Sequence, residues 1–134
     1  CYSAAPFVAE QTASLLHLTD LLVVNEVEAD ALLKYTNKEL KALGVPNLVI
    51  TLGSKGARYI GVEGDFFVSP FNVNAIDTTG AGDTFLGYLL ASLNQGLTMM
   101  QSMDYGSAAA SLQITKQGAL KAIPTMEEVK HFLK

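Results

Sequence analysis

Two short, uninterrupted apolar runs mark the first half of the chain. Leu21-Leu22-Val23-Val24 and Leu48-Val49-Ile50-Thr51-Leu52 contain no charged residue and are too short to read as globular helices. Runs of this kind are typical of strands buried on both faces of a parallel sheet. Apolar residues at helical spacing precede the first run over 7–18, and another helix is predicted to begin at 29–33 after it.

Turn residues divide the stretch that follows the second run. Gly53-Ser54-Lys55-Gly56 and Glu63-Gly64-Asp65 each bring together residues that favour turns. Between and after them, 57–62 and 66–68 have strand character, which predicts a hairpin or short meander.

The second half of the chain has helical periodicity. Its clearest apolar stripe consists of Phe85, Leu86, Leu89, Leu90 and Leu93. This helix is expected to end at Asn94-Gln95-Gly96, because glycine favours the left-handed conformation that closes helices. Further helices are predicted over 36–43 (capped by Thr36 or Asn37 and ended by Gly44), 98–114 and 126–133.

These elements predict an α/β fold of one domain over residues 1–134. We expect a layered α/β/α arrangement with a largely parallel central sheet, a short β-meander and helices on both faces of the sheet. The length and the 49% hydrophobic content suffice for one buried core.

Charge and composition narrow the possible functions. A net charge of -4 with scattered basic residues argues against a nucleic-acid surface, and no apolar run is long enough to span a membrane. Cys1, the single cysteine, excludes an internal disulfide and suits a reducing compartment, so a cytoplasmic location is expected. The chain begins without methionine, and 1–6 reads as the end of a strand and its loop.

The residues before the clearest helix carry the strongest chemical signal. Gly80, Ala81 and Gly82 stand at the predicted helix N-terminus, where free backbone N–H groups and the helix dipole favour an anion. Asp83 follows in the first turn, so a carboxylate adjoins the predicted anion hole, which suits phosphoryl transfer. The alternative is a glycine-rich turn in which Asp83 only complements the dipole. Neither a G-x-x-x-x-G-K-[ST] nor a complete G-x-G-x-x-G motif is present.

The stretch Asp77-Thr78-Thr79-Gly80-Ala81-Gly82-Asp83-Thr84-Phe85 resembles the C-terminal signature of the ribokinase-like (PfkB) carbohydrate kinases. The resemblance implies that Asp83 is the catalytic base, that it also contacts the substrate hydroxyl, and that Gly80, Ala81 and Gly82 form the anion hole. It also implies the ribokinase-like fold and ATP with Mg²⁺ as cofactors.

Two further patterns match the same family. Asn25 and Glu28 form an N-x-x-E after the first predicted strand, which in the family helps to hold Mg²⁺ and phosphates, mainly through water; alone, Asn25 would read as a helix cap. Thr51, Gly53 and Gly56 match a T-L-G-x-x-G loop that lies against the nucleotide phosphates.

A monovalent cation site is the last implication of the resemblance. Family members of this pattern commonly bind K⁺ between two loops, which here would involve Asp77, Thr79 and Gly118. In the alternative interpretation, Asp77 only caps its turn by accepting a hydrogen bond from the Thr79 amide.

The resemblance implies an ATP-dependent kinase that transfers the γ-phosphoryl group to a primary hydroxyl of a small sugar, with ribose favoured. Fructose, adenosine or another nucleoside are alternative acceptors, and a non-catalytic nucleotide-binding domain is the alternative outside catalysis. The resemblance covers about half of a family member, so an N-terminal portion with the lid is expected to be absent. We therefore expect this segment alone to be inactive, and a homodimer to form through the missing portion.

Overall fold

The structure, a computed structural model, describes residues 1–134, which divide into two compact units. The first unit comprises 1–67 and the second 68–134. None of the helices is both long enough and apolar enough to cross a membrane.

The first unit combines a mixed sheet with helices. In chain order its elements are α1 (Ala9–Leu15), β1 (Leu21–Asn25), α2 (Glu26–Thr36), β2 (Asn47–Thr51), β3 (Ala57–Gly61) and β4 (Gly64–Val68), the last of which ends at the first residue of the second unit. The strand order in the sheet is β1-β2-β3-β4. β1 and β2 are parallel, whereas β2 and β3 are antiparallel. The predicted α/β class is confirmed, and the meander makes the sheet a mixed one.

The two apolar runs form β1 and β2, as predicted. Leu22 and Val49 are fully buried, since strands inside a layered fold have both faces covered. The core of this unit is built from the apolar side chains of these strands and of the neighbouring helices and turns: Leu16, Leu22, Val24, Ala29, Leu32, Leu43, Leu48, Ile50 and Ile60.

The prediction of a helix over 36–43 is wrong. Residue Thr36 ends α2 instead of starting a helix, and its hydroxyl donates to the Leu32 carbonyl at 2.8 Å. Asn37 then takes a left-handed conformation (φ 51°), which closes the helix. Only a single 3₁₀ turn, Leu40–Ala42, follows.

The second unit is helical: α3 (Ala81–Asn94), α4 (Met99–Ile114) and α5 (Met126–Phe132). These bounds agree with the predictions for the second half. Small residues of α4 are buried, and Gly106 lies so close to α3 that a Cβ there would stand 2.8 Å from the Phe85 carbonyl oxygen. The short side chains therefore set how near the two helices approach.

Candidate phosphoryl-transfer site

The carboxyl ends of the parallel strands bring two predicted residues together. Asn25 and Thr51 are partners in the β1–β2 register, each at the last position of its strand. In α/β proteins ligands bind beyond this edge of the sheet. The sequence predicted that Asn25 follows the first strand, and the strand pairing makes it a neighbour of Thr51.

Asn25 and Glu28 form a capping box at the start of α2. The Glu28 N–H donates to Asn25 Oδ1 at 2.9 Å, and the Asn25 N–H donates to Glu28 Oε2 at 2.8 Å. The capping that the sequence suggested for Asn25 is thus present. The box holds the Glu28 carboxylate at the strand end through one oxygen only.

The loop after β2 is a tight turn that two glycines allow. Gly53 (φ 57°) and Gly56 (φ 93°) have positive φ, which other residues rarely adopt. The Leu52 N–H donates to the Gly56 carbonyl at 2.8 Å, which closes the loop. Lys55 and Glu26 form an exposed ion pair at 3.2 Å, so the loop is tied to the first turn of α2. An exposed pair of this kind contributes about 0–1 kcal/mol.

The start of α3 presents free backbone donors. Gly80 is the N-cap in a left-handed conformation, and its carbonyl accepts from the Thr84 N–H at 2.9 Å. The Ala81 N–H donates to the Thr78 carbonyl at 3.2 Å. No protein acceptor faces the N–H groups of Gly82 and Asp83. The donors available to an anion are therefore the second and third of the helix.

Asp83 carries an exposed carboxylate without a protein partner. It lies in the first turn of α3, and it makes no hydrogen bond or ion pair within the chain. Gly80 and Asp83 line one part of a cleft of about 430 Å³ whose other walls come from α3, from Gln113 of α4 and from residues 119–126. A free carboxylate, two free N–H groups and a cleft thus lie together. The carboxylate could accept a proton while the N–H groups bind an anion beside it.

Asp77 joins the two loops that the sequence analysis assigned to a cation. Its Oδ1 accepts from the Thr79 N–H at 3.0 Å, and its Oδ2 accepts from the Gly118 N–H at 2.9 Å. Hydrogen bonding by Thr79, and then by Gly118, lowers the pKa of the Asp77 carboxyl below its ordinary value. The predicted turn cap exists, and the structure adds a link to Gly118.

Gln113 is a residue whose role the sequence analysis missed. Its side chain is only 1% exposed, and Nε2 donates to the carbonyls of Thr79 at 3.1 Å and Ala119 at 3.2 Å. In the sequence it appears only as a polar residue between Leu112 and Ile114 near a helix end. Its partner Thr79 is 34 positions away, so no local pattern indicates the contact.

A family model and individual relatives agree on the family of proteins to which this chain is similar. The profile of a family described as pfkB family carbohydrate kinase matches residues 2–126. A ribokinase of Staphylococcus aureus (strain COL) is 37% identical, with 86% of this chain and 41% of the relative covered. Fructokinase-2 of Solanum lycopersicum is 31% identical, with 99% of this chain and 44% of the relative covered.

Solved structures share the fold. An Arabidopsis thaliana ribokinase, solved with ribose and ATP, superposes with a TM-score of 0.82 at 28% identity, over 91% of this chain and 43% of that one. The chain spans about two fifths of the length of the curated relatives it matches, 41% and 44% for the two named above.

Proposed function

Because the chain belongs to the pfkB family of carbohydrate kinases, we propose that it carries the phosphoryl-transfer site of an ATP-dependent sugar kinase. The reaction moves the γ-phosphoryl group of ATP to a primary hydroxyl of a small sugar. The observation that carries the proposal is the unpartnered Asp83 carboxylate beside the free N–H groups of Gly82 and Asp83.

Asp83 acts as the base in this proposal. As the bond from the acceptor oxygen to phosphorus forms and the bond from phosphorus to the ADP oxygen breaks, the acceptor hydroxyl gives its proton to the Asp83 carboxylate. The carboxylate faces solvent and no cation neutralises it, so it is free to accept that proton.

The backbone of the first turn of α3 stabilises the charge on the phosphoryl oxygens. The N–H groups of Gly82 and Asp83 donate, while Gly80 and Ala81 shape the turn that aims them. A Cβ at Gly82 would meet nothing within 4 Å, so there is room for a phosphate to approach the backbone. These donors are aligned before charge develops, which is what makes such groups effective in catalysis.

Within the first unit alone, we propose nucleotide contacts for the end of β2 and the start of α2. Thr51, Gly53 and Gly56 place a tight loop at the end of β2, where its backbone can approach the ATP phosphates. The Asn25–Glu28 capping box uses only one carboxylate oxygen, so the other is available to a water of Mg²⁺. This fits a metal that keeps most of its waters and takes few protein carboxylates. When bound, Mg²⁺ would neutralise phosphate charge.

Ribose is the favoured acceptor. One similar protein is named a ribokinase, and another was solved with ribose and ATP. Fructose is the first alternative, since a fructokinase is also similar, and a nucleoside is the second, because a nucleoside kinase solved with inosine shares the fold. We expect the 134-residue chain on its own to form no ADP in response to sugar, because Asp83 is exposed and nothing in this chain covers it.

The test is Asp83→Asn in the whole natural polypeptide that contains these residues. We expect kcat with ribose to fall by about 10²–10⁴-fold, because asparagine keeps the size but cannot accept the proton. Binding of ATP with Mg²⁺, measured by calorimetry, should stay nearly unchanged.

The control is Glu127→Gln, which removes a charge from the first turn of another helix, α5. If Asp83 only complements a helix dipole, the two variants will lose similar stability and neither will lose kcat. An Asp83→Asn enzyme that keeps most of its kcat would remove the base role, and a wild-type protein that phosphorylates no sugar or nucleoside would end the proposal.

A further inference from the structure

Two backbone segments flank the start of α3, and one buried amide spans them. Nε2 of Gln113 donates to the Thr79 carbonyl on one segment and to the Ala119 carbonyl on the other. A primary amide nitrogen has two hydrogens, so both donors are used. Turned over, the amide would set Oε1 against two carbonyl oxygens, so the hydrogen bonds allow one orientation only.

This arrangement leaves a poor fit for the monovalent cation that the sequence analysis expected. A cation between the segments needs carbonyl and carboxylate oxygens that converge on it. Here the Thr79 carbonyl points at an N–H of Gln113, and both oxygens of Asp77 accept backbone N–H groups. Each N–H that these oxygens accept takes up a lone pair and sets a partly positive hydrogen where a cation would lie. Gln113 Oε1 is buried and accepts no hydrogen bond, so it is the amide oxygen that remains uncommitted here.

We propose that the Gln113 amide, and not K⁺, connects the two segments and thereby fixes the position of the anion hole. For its effect on catalysis, this inference rests on the proposed kinase function. Gln113 touches neither phosphate nor acceptor in this scheme and is therefore a positioning residue.

Gly80 transmits the position of Gln113 to the anion hole. A Cβ at Gly80 would stand 3.2 Å from Gln113 Nε2 and 3.3 Å from the Ala119 Cβ, so the N-cap packs directly on the amide and its second anchor. The Gly80 carbonyl in turn accepts from the Thr84 N–H and begins α3. A displacement of the amide therefore displaces the turn that carries the N–H groups of Gly82 and Asp83.

The first measurement compares K⁺ with tetramethylammonium at equal ionic strength in the whole natural polypeptide. We expect the wild-type kcat and KM to agree within about twofold in the two salts, because the amide needs no cation. A wild-type enzyme that K⁺ stimulates about tenfold or more would overturn the inference by itself, even if no variant folds.

Gln113→Ala provides the decisive variant. It removes both donors and leaves a space beside two unpaired carbonyls, which a K⁺ ion can then enter. In tetramethylammonium its kcat should fall by about 10- to 100-fold through misplacement of the hole, and K⁺ should restore much of the loss. Its melting temperature should also rise with K⁺ concentration, while that of the wild type should not.

Two control variants separate the possible causes. Gln113→Met fills the space without a donor, so it should lose kcat in both salts and gain nothing from K⁺. Gln101→Ala removes the capping glutamine at the other end of α4, about 18 Å away along the helix. Its kcat and its melting temperature should be the same in K⁺ as in tetramethylammonium. A Gln113→Ala enzyme that is fully active in tetramethylammonium would remove the positioning role.

The melting experiments keep this inference distinct from the proposed function. If the wild type has no kinase activity, the proposed function fails, yet the K⁺-dependent melting of Gln113→Ala still decides whether the amide occupies the place of a cation. If that variant folds and K⁺ leaves its melting temperature unchanged, the inference fails whatever the enzyme activity is.

Discussion

Gly106 of α4 lies against Phe85 of α3, two residues after Asp83, and Gly106→Ala tests how tightly these helices pack. A Cβ at this position would stand 2.8 Å from the Phe85 carbonyl oxygen and 3.0 Å from its ring. Alanine gains about 0.8–1.0 kcal/mol over glycine inside a helix. Overpacking a close interface costs about 1–3 kcal/mol, and a backbone oxygen yields less easily than a flexible side chain. We therefore expect a net loss of about 1–2 kcal/mol of unfolding free energy.

Gly87→Ala is the matched control for this substitution. Gly87 is also inside a helix, α3, but a Cβ there would meet nothing within 4 Å. The same change should therefore stabilise the protein by about 0.8–1.0 kcal/mol.

Urea denaturation of both variants measures the difference between their unfolding free energies. A difference of about 2–3 kcal/mol between them corresponds to about 1 M or more in the urea midpoint. If Gly106→Ala raises the midpoint as much as Gly87→Ala does, the close approach of α4 to α3 is not real. Sugar-dependent kcat should fall in Gly106→Ala if the start of α3 moves with Phe85.

Two further predictions concern the caps that hold the site. Asn25→Ala should lose about 1 kcal/mol of unfolding free energy in urea, because the Glu28 N–H loses its acceptor, while Asn25→Ser should recover most of it; equal stability of all three proteins would contradict the capping. The lowered pKa of Asp77 contributes stability that is present above the unfolded value of about 3.8 and is lost as pH falls through the folded pKa. Urea midpoints should thus drop below about pH 4 in the wild type and less steeply in Asp77→Asn; parallel curves would exclude this contribution.

Local patterns were sufficient for most of the secondary structure. The apolar runs became β1 and β2 because continuous burial is visible in the sequence itself, and the stripe that starts at Phe85 became α3. The turn predicted at 53–56 is present, and its two glycines have positive φ. The short helix over 36–43 failed because a left-handed Asn37 ends α2, a choice between cap positions that composition alone does not settle.

The contacts of the candidate site are likewise of two kinds, local ones that the sequence reveals and long-range ones that it does not. The capping boxes, the turn at Asp77 and the start of α3 involve residues only two to four positions apart, so sequence motifs reveal them. The contacts of Asp77 with Gly118 and of Gln113 with Thr79 span 41 and 34 positions. Such contacts depend on how the chain returns to the start of α3.

The sequence by itself determined the order of strands and helices along this chain and which residues form the candidate anion hole, because apolar periodicity, glycine and capping act over one or two turns of chain. Only the tertiary structure decided which groups contact the candidate site. It left Asp83 without a partner, committed both oxygens of Asp77 to backbone amides, and buried Gln113 between two carbonyls. The reason is physical: a buried donor such as the Gln113 amide nitrogen bonds to acceptors that are near it in space, and their distance along the chain has no bearing on that contact.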